Sequence, residues 1–192
     1  MPSPVPAELI SSSNPEAARE QFTRVGHVGI AELYGPYLGE QALAEIRKGL
    51  IKSKPRGVRS YTARLRPPNP TREKAYTTII EAIQEGARIL GRDIAPAASG
   101  EAAQIDLLEM EKDGRGDRHR DKTGLVDIVA VANLTGVSGL RIEDGDGSGG
   151  ESVYTFGPGP VIYHDLSRQL VHQGFTGPDD SRFGLAVAKY SR

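Results

Sequence analysis

His119 and Asp121 form a His-x-Asp pair, and another histidine, His172, lies on a later segment of similar character. Residues two apart on a strand project to one face, so an imidazole and a carboxylate at this spacing can bind one ion. His172 supplies a third donor if its strand reaches the same face. Two histidines and one carboxylate on one side of an ion leave three positions open, which suits a non-haem Fe(II) that must take exchangeable ligands. Arg182 follows ten residues after His172. Its guanidinium can clamp a carboxylate in bidentate fashion.

The chain has four histidines, and the other two read differently. His164 precedes Asp165 and could replace His172 if the strand register slipped by one residue. His27 has no acidic neighbour in the sequence and reads as structural. Arg182 has its own bland alternative, a turn-level ion pair with Asp179 or Asp180.

These residues need elements to position them, and the chain reads in two halves. Residues 1–20 are rich in Pro, Ser, Ala and Glu and read as a flexible N-terminal arm. Residues 21–100 read as an N-terminal helical and strand extension packing on a core. In it, Val25–Ile30 and Val58–Leu65 are candidate strands. Gly39–Leu50 has helical spacing, with Leu43, Ile46 and Leu50 on one face. A second helix places Ile79, Ile80, Ile83, Ala87 and Leu90 on one face, with Thr71 as N-cap and Gly91 as its stop. After residue 100 the period changes from 3.6 to 2. Gln104–Glu111, Asp117–Asp121, Val126–Leu134, Gly139–Glu143, Ser152–Phe156, Val161–His164, Leu170–Gln173 and Phe183–Tyr190 read as short strands separated by Gly-, Asp- and Pro-rich turns. Eight such strands suggest a double-sheet jelly roll or barrel, whose mouth is the natural place for a site.

The 192 residues carry a formal charge of −1, with 38% hydrophobic and 26% charged residues. That is ordinary for a globular protein, and no global field draws it to nucleic acid or membrane. Cysteine is absent, which excludes disulfides, thiolate metal sites and cysteine nucleophiles. The longest apolar stretch, Leu125–Leu134, is interrupted by Asp127 and Asn133 and is too short to span a bilayer. The N-terminal segment lacks the pattern of a signal peptide, so a cytoplasmic protein with no membrane partner is expected.

The run from Gln104 to Arg192 resembles the double-stranded β-helix core of the Fe(II)/2-oxoglutarate-dependent dioxygenases. His119-x-Asp121, then His172, then Arg182 match that family's H-x-D, H and R pattern. The segment GPGPVIYHDLSRQLVHQG also resembles its sixth and seventh strands and the turn before them. The resemblance implies a mainly β fold with flanking helices, in which a double-stranded β-helix catalytic core (101–192) follows an N-terminal α/β extension. It implies that His119, Asp121 and His172 hold Fe(II), that Arg182 anchors 2-oxoglutarate, and that dioxygen is the second co-substrate. Decarboxylation of 2-oxoglutarate would then be coupled to hydroxylation or desaturation of a C–H bond. Related halogenases replace the carboxylate ligand with a small residue, so Asp121 argues against halogenation. Two positions depart from the pattern: Met110 stands where several members carry a tyrosine, and Gly184 stands where a polar residue follows the arginine.

The compact size favours a small organic or amino-acid-like substrate. The segment 52–74 carries eight Lys and Arg residues and one acid, Glu73. It supports an alternative, a nucleic-acid-modifying dioxygenase with Tyr61 available for stacking, but a charged strand edge that discourages edge pairing is the favoured explanation in a chain this close to neutral. A non-catalytic cupin-like domain that binds a metal or small ligand is the rival from another class. Asp144, Asp146 and Ser148 have calcium-loop spacing, but Thr155 stands where a bidentate Glu is required, so a hairpin turn is the expectation.

Overall fold

A computed structural model describes residues 4–33, 50–55, 57–65, 81, 83–92, 103–121, 128–180 and 182–189. In chain order these form β1 (Val5–Pro6), β2 (Leu9–Ser11), α1 (Pro15–Val25), β3 (His27–Ala31), β4 (Leu50–Pro55) and β5 (Gly57–Leu65). The second half contributes β6 (Ala103–Gly116), β7 (Ile128–Gly136), β8 (Ser138–Glu143), β9 (Glu151–Phe156), β10 (Val161–Asp165), β11 (His172–Phe175) and β12 (Arg182–Lys189). Residues 83–89 are helical.

The strands form one hydrogen-bonded path, β1-β9-β8-β11-β6-β12-β7-β10-β3-β2, with the β4–β5 hairpin paired to β6. That path folds over on itself at β6. From Ala103 to Met110 this strand pairs with β12, whereas Arg115 pairs with Phe175 of β11. Between these stretches Asp113 adopts a left-handed conformation with φ 53°. Thr176 fixes the bend: its hydroxyl bonds Glu111 O and accepts from Gly114 N at 2.8 Å. The DGRG motif is therefore a bend inside one long strand and not a turn between two.

The two layers face each other across a shared core. Val129, Val131 and Ile162 from one layer meet Leu140, Ile142, Tyr154 and Phe156 from the other. Central β7 is buried along its first seven residues, which explains its nearly continuous apolar run in place of alternation. Mainly β structure in two facing layers agrees with the sequence expectation, and β6 through β12 account for seven of the eight expected strands. The exception is 117–121, which has a single bridge at His119. Leu170 does not begin β11, because Leu166–Arg168 first forms a 3₁₀ turn and Gln169 takes φ 53°.

The first half departs further. Residues 1–20 were expected to be a flexible arm, but β1 pairs with β9, β2 pairs with β3, and the helix α1 starts at Pro15. Asn14 caps that helix by accepting from Ala17 N, Pro15 opens it, and Gly26 at φ 82° closes it. Ala18, Phe22 and Val25 bury its inner face. Because β3 pairs with β10 and β5 with β6, strands from before residue 100 are part of the same sheet path as the later ones. Most of the expected 39–50 helix lies outside the described residues, and Leu50 belongs to β4. Of the second helical face, Ile83, Ala87 and Leu90 are buried, while Ile79, Ile80 and Thr71 lie outside the described residues. Tyr163 donates to Ile83 O at 3.0 Å, and a methyl group at Gly86 would overlap the tyrosine hydroxyl. From the basic segment, residues 52–55 and 57–65 form the β4–β5 hairpin. Among the described residues, no helix is long and apolar enough to cross a membrane.

His27 is structural, as expected, but it does have an acidic partner. Its Nε2 lies 2.9 Å from Asp144 Oδ1 and its Nδ1 2.9 Å from the Tyr154 hydroxyl, which also accepts from Gln21. Ser152 donates to the same Asp144 oxygen at 2.7 Å, so the 144–150 segment is a hairpin turn anchored to the core. Burial pushes the His27 imidazole below its ordinary value of 6.5, against the pull of Asp144. The unfolded chain therefore binds this proton where the folded one does not. The histidine's contribution is complete above about pH 6.5 and is lost as the pH falls toward the folded-state value. Urea unfolding between about pH 7 and pH 5 should show stability declining toward acid. In His27→Gln that decline should be shallower by up to one proton, or about 1.4 kcal/mol per pH unit. An unchanged slope would exclude His27 as a source of acid sensitivity.

Candidate metal centre

The bend in β6 aims the chain that follows it at the start of β11. There His119 N donates to His172 O at 3.1 Å, and His172 N donates to His119 O at 2.9 Å. A pair that exchanges both bonds presents its side chains on the same side. The two rings accordingly lie 4.4 Å apart, centroid to centroid. Each ring is fixed by its own chain: Nδ1 of His119 lies 2.7 Å from Asp117 O, and Nδ1 of His172 lies 3.3 Å from Leu170 O. A carbonyl can only accept, so in each neutral imidazole Nδ1 carries the hydrogen and the Nε2 lone pair is turned toward Asp121.

Asp121 completes the group. Its Oδ1 is 3.4 Å from His119 Nε2 and its Oδ2 is 3.6 Å from His172 Nε2. One ligand atom from each of the three residues lies within 4.8 Å of the others. Donors about 2.1 Å from one ion stand about 3 Å apart at right angles, so closing onto a cation needs only a small movement. The donor set also fits: converging lone pairs and a carboxylate are tolerable with a cation or proton between them, and two imidazoles with one carboxylate suit Fe(II). The sequence placed His119, Asp121 and His172 on one face by strand alternation, and the structure brings them together although 117–121 is an extended segment and not a full strand.

Arg182 opens β12, with its backbone paired to Met110 on β6 and Gly136 on β7. Its side chain lies outside what the structure describes. Met110 itself is buried and also faces Ser60 of β5 in register. His164 does not replace His172. It sits on β10 opposite Val129 and His27, and its ring lies 4.6 Å from that of His172. Its Nε2 is 3.7 Å from Asp121 Oδ2, a convergence the sequence reading did not foresee. The available signal was parity: His164 stands two residues after Ile162, which faces the core.

A clamp from the 3₁₀ turn holds the Asp121 end. Gln169 Nε2 donates to Asp121 O at 3.0 Å and to Leu166 O at 2.9 Å. Arg120 Nε returns a bond to Gln169 O at 2.8 Å. At the rim, Arg118 pairs with Glu151, and Arg120 Nη2 lies 3.9 Å from Glu143. None of these partners was visible in the sequence pattern.

Burial pushes the His172 imidazole down, and the nearby Asp121 only partly restores it. Burial pushes His164 down further, to about 3, so it is neutral across the physiological range. Burial also opposes ionisation of Asp121, but its interactions with the surrounding imidazoles, His119 first, outweigh it and hold the carboxyl below its usual range. The result is an ionised carboxylate beside a His172 imidazole that burial keeps neutral and able to ligate. Gln169→Ala should remove the donor from Asp121 O and Leu166 O and cost about 1–2 kcal/mol in thermal or urea unfolding. No loss of stability would show that water replaces this clamp.

No family model and no curated protein matches this sequence. Solved structures do. A 2OG-Fe(II) oxygenase family oxidoreductase from Burkholderia pseudomallei aligns at TM-score 0.69 and 13% identity, covering 98% of this chain and 95% of its own. A Pseudomonas putida prolyl-4-hydroxylase aligns at TM-score 0.63 and 14% identity, over 93% and 99%. The α-ketoglutarate-dependent carbocyclase SnoK from nogalamycin biosynthesis aligns at TM-score 0.65 and 16% identity, over 99% and 87%. At these identities the likeness concerns architecture, and the chain has the double-stranded β-helix fold of the 2-oxoglutarate/Fe(II) oxygenases.

Proposed function

We propose that this chain is an Fe(II)- and 2-oxoglutarate-dependent oxygenase that hydroxylates or desaturates a C–H bond of a small organic or amino-acid-like substrate. The observation that carries the reading is the convergence of His119, Asp121 and His172, each ring held through Nδ1 by a backbone carbonyl, at the position where a bent β6 meets β11. Solved relatives of the fold include a structure with Fe3+ and α-ketoglutarate bound. Iron together with 2-oxoglutarate and dioxygen supplies the oxidising chemistry; the chain supplies position, charge and dryness.

His119 and His172 would each give a neutral Nε2 and Asp121 one carboxylate oxygen. One net negative charge in the ligand set offsets part of the metal's charge and leaves the other side open for exchangeable ligands. Arg182 would hold the distal carboxylate of 2-oxoglutarate, because a guanidinium matches a carboxylate with two parallel bonds. The apolar wall of Val129, Val131, Leu140 and Ile142 keeps water from the barrel interior. With its carboxylate present, the ligand set has no gap for a halide, which favours hydroxylation or desaturation.

Purified protein supplied with Fe(II), ascorbate and 2-oxoglutarate should form succinate, and substrate should stimulate it. His119→Ala and Asp121→Ala should each abolish both iron binding and succinate formation. A variant that kept both would remove that residue from the ligand set. Arg182→Ala should raise the apparent KM for 2-oxoglutarate by about 10- to 100-fold, the loss expected for a charge-assisted pair, with little change in the metal requirement. A normal KM would assign the arginine to the surface.

A further inference from the structure

Two polar atoms of the barrel interior lack a use in the reading above. His164 is 1% exposed, and neither of its ring nitrogens has a hydrogen-bond partner among the described residues. Buried polar groups nearly always have partners, so an orphaned imidazole beside a ligand set points to a group that arrives or moves. The ring is well placed for one. Its Nε2 faces Asp121 Oδ2 at 3.7 Å, just beyond hydrogen-bond length; His172 Nε2 approaches the same oxygen at 3.6 Å, and the other carboxylate oxygen faces His119. The strand around it is fixed, because β10 pairs with β7 on one side and β3 on the other.

We propose that His164 is a positioning residue: when Asp121 closes onto the metal through Oδ1, His164 Nε2–H donates to the free Oδ2 and holds the carboxylate monodentate. This rests on the metal-site reading above. The consequence is chemical. A carboxylate that swung to bind through both oxygens would occupy two coordination positions, leaving one fewer for co-substrates. A neutral imidazole has a single N–H, and placing it on Nε2 gives that donor and Oδ2 a partner at once. Direct ligation by His164 is the competing outcome; its nitrogens fall outside the three-residue group whose donor atoms all lie within 4.8 Å.

The test uses Co(II) as the metal probe, by calorimetry and visible absorption, so that no turnover is required. Outer-shell partners of metal ligands typically change affinity by about 10- to 100-fold. His164→Phe keeps the volume and removes the donor, and should weaken Co(II) binding by at least about tenfold without lowering Tm, since no satisfied hydrogen bond is lost. His164→Gln returns an N–H donor and should recover most of the affinity. Unaltered affinity in His164→Phe would overturn the proposal. Equal, unrescued loss in both variants would also overturn it, in favour of direct ligation. If His164→Phe does not fold, the Zn(II)-loaded wild type still decides: a 1H–15N spectrum should show His164 protonated at Nε2, and an unprotonated Nε2 would refute the assignment. Failure of the wild type to bind Co(II), or retention of binding in His119→Ala, would refute the metal site itself and is distinguishable from every result at residue 164.

Discussion

Beyond the end of β6, His119 and His172 exchange two backbone hydrogen bonds, and the geometry of the candidate centre follows from that exchange. It sets both imidazoles on one side, and it brings Asp121 alongside two residues later. The exchange depends in turn on the bend of β6. Asp113 must accept a left-handed conformation, at a cost of order 1–2 kcal/mol for a non-glycine residue, and Thr176 offsets it with bonds on either side of the bend. A straight β6 would continue beside β12 and carry His119 away from β11. The conformational cost at one residue is thus tied to the position of a donor atom six residues later.

The surroundings suit a cation more than a proton. Desolvation keeps His172 and His164 neutral while Asp121 stays ionised, so lone pairs and negative charge converge with little else to balance them. A fully apolar interior would be more stable. The interior instead gathers His164, His172 and Asp121 at one place, apart from the aliphatic and aromatic cluster of Val129, Val131, Leu140, Ile142, Tyr154, Phe156 and Ile162.

Much of the core was legible because its signals are local. Short apolar or alternating runs between turn signals located β6 through β12, and the spacing of His119 and Asp121 needed only an extended chain. What escaped reading depended on distance or on competing composition. The acidic partner of His27 is Asp144, which no window on the sequence joins to it. The Pro- and Ser-rich start of the chain hid the Asn14, Pro15 and Gly26 signals of α1, and β1 and β2 are too short to show a period. His164 looked like a substitute for His172 because sequence gives strand parity but not which face closes over a site. Gln169 gave no signal at all: a glutamine in a left-handed conformation clamps Asp121 only because the 3₁₀ turn delivers it there.

Exposure is graded across the three donors: side chains are 44% exposed at His119, 30% at Asp121 and 10% at His172. Among the described residues the group is therefore most open at His119 and most enclosed at His172. Arg118 and Arg120 flank His119 in the chain, but each is paired with a glutamate, Glu151 and Glu143. Paired charges cast little field into solvent, so among the described residues the approach is not steered by long-range attraction.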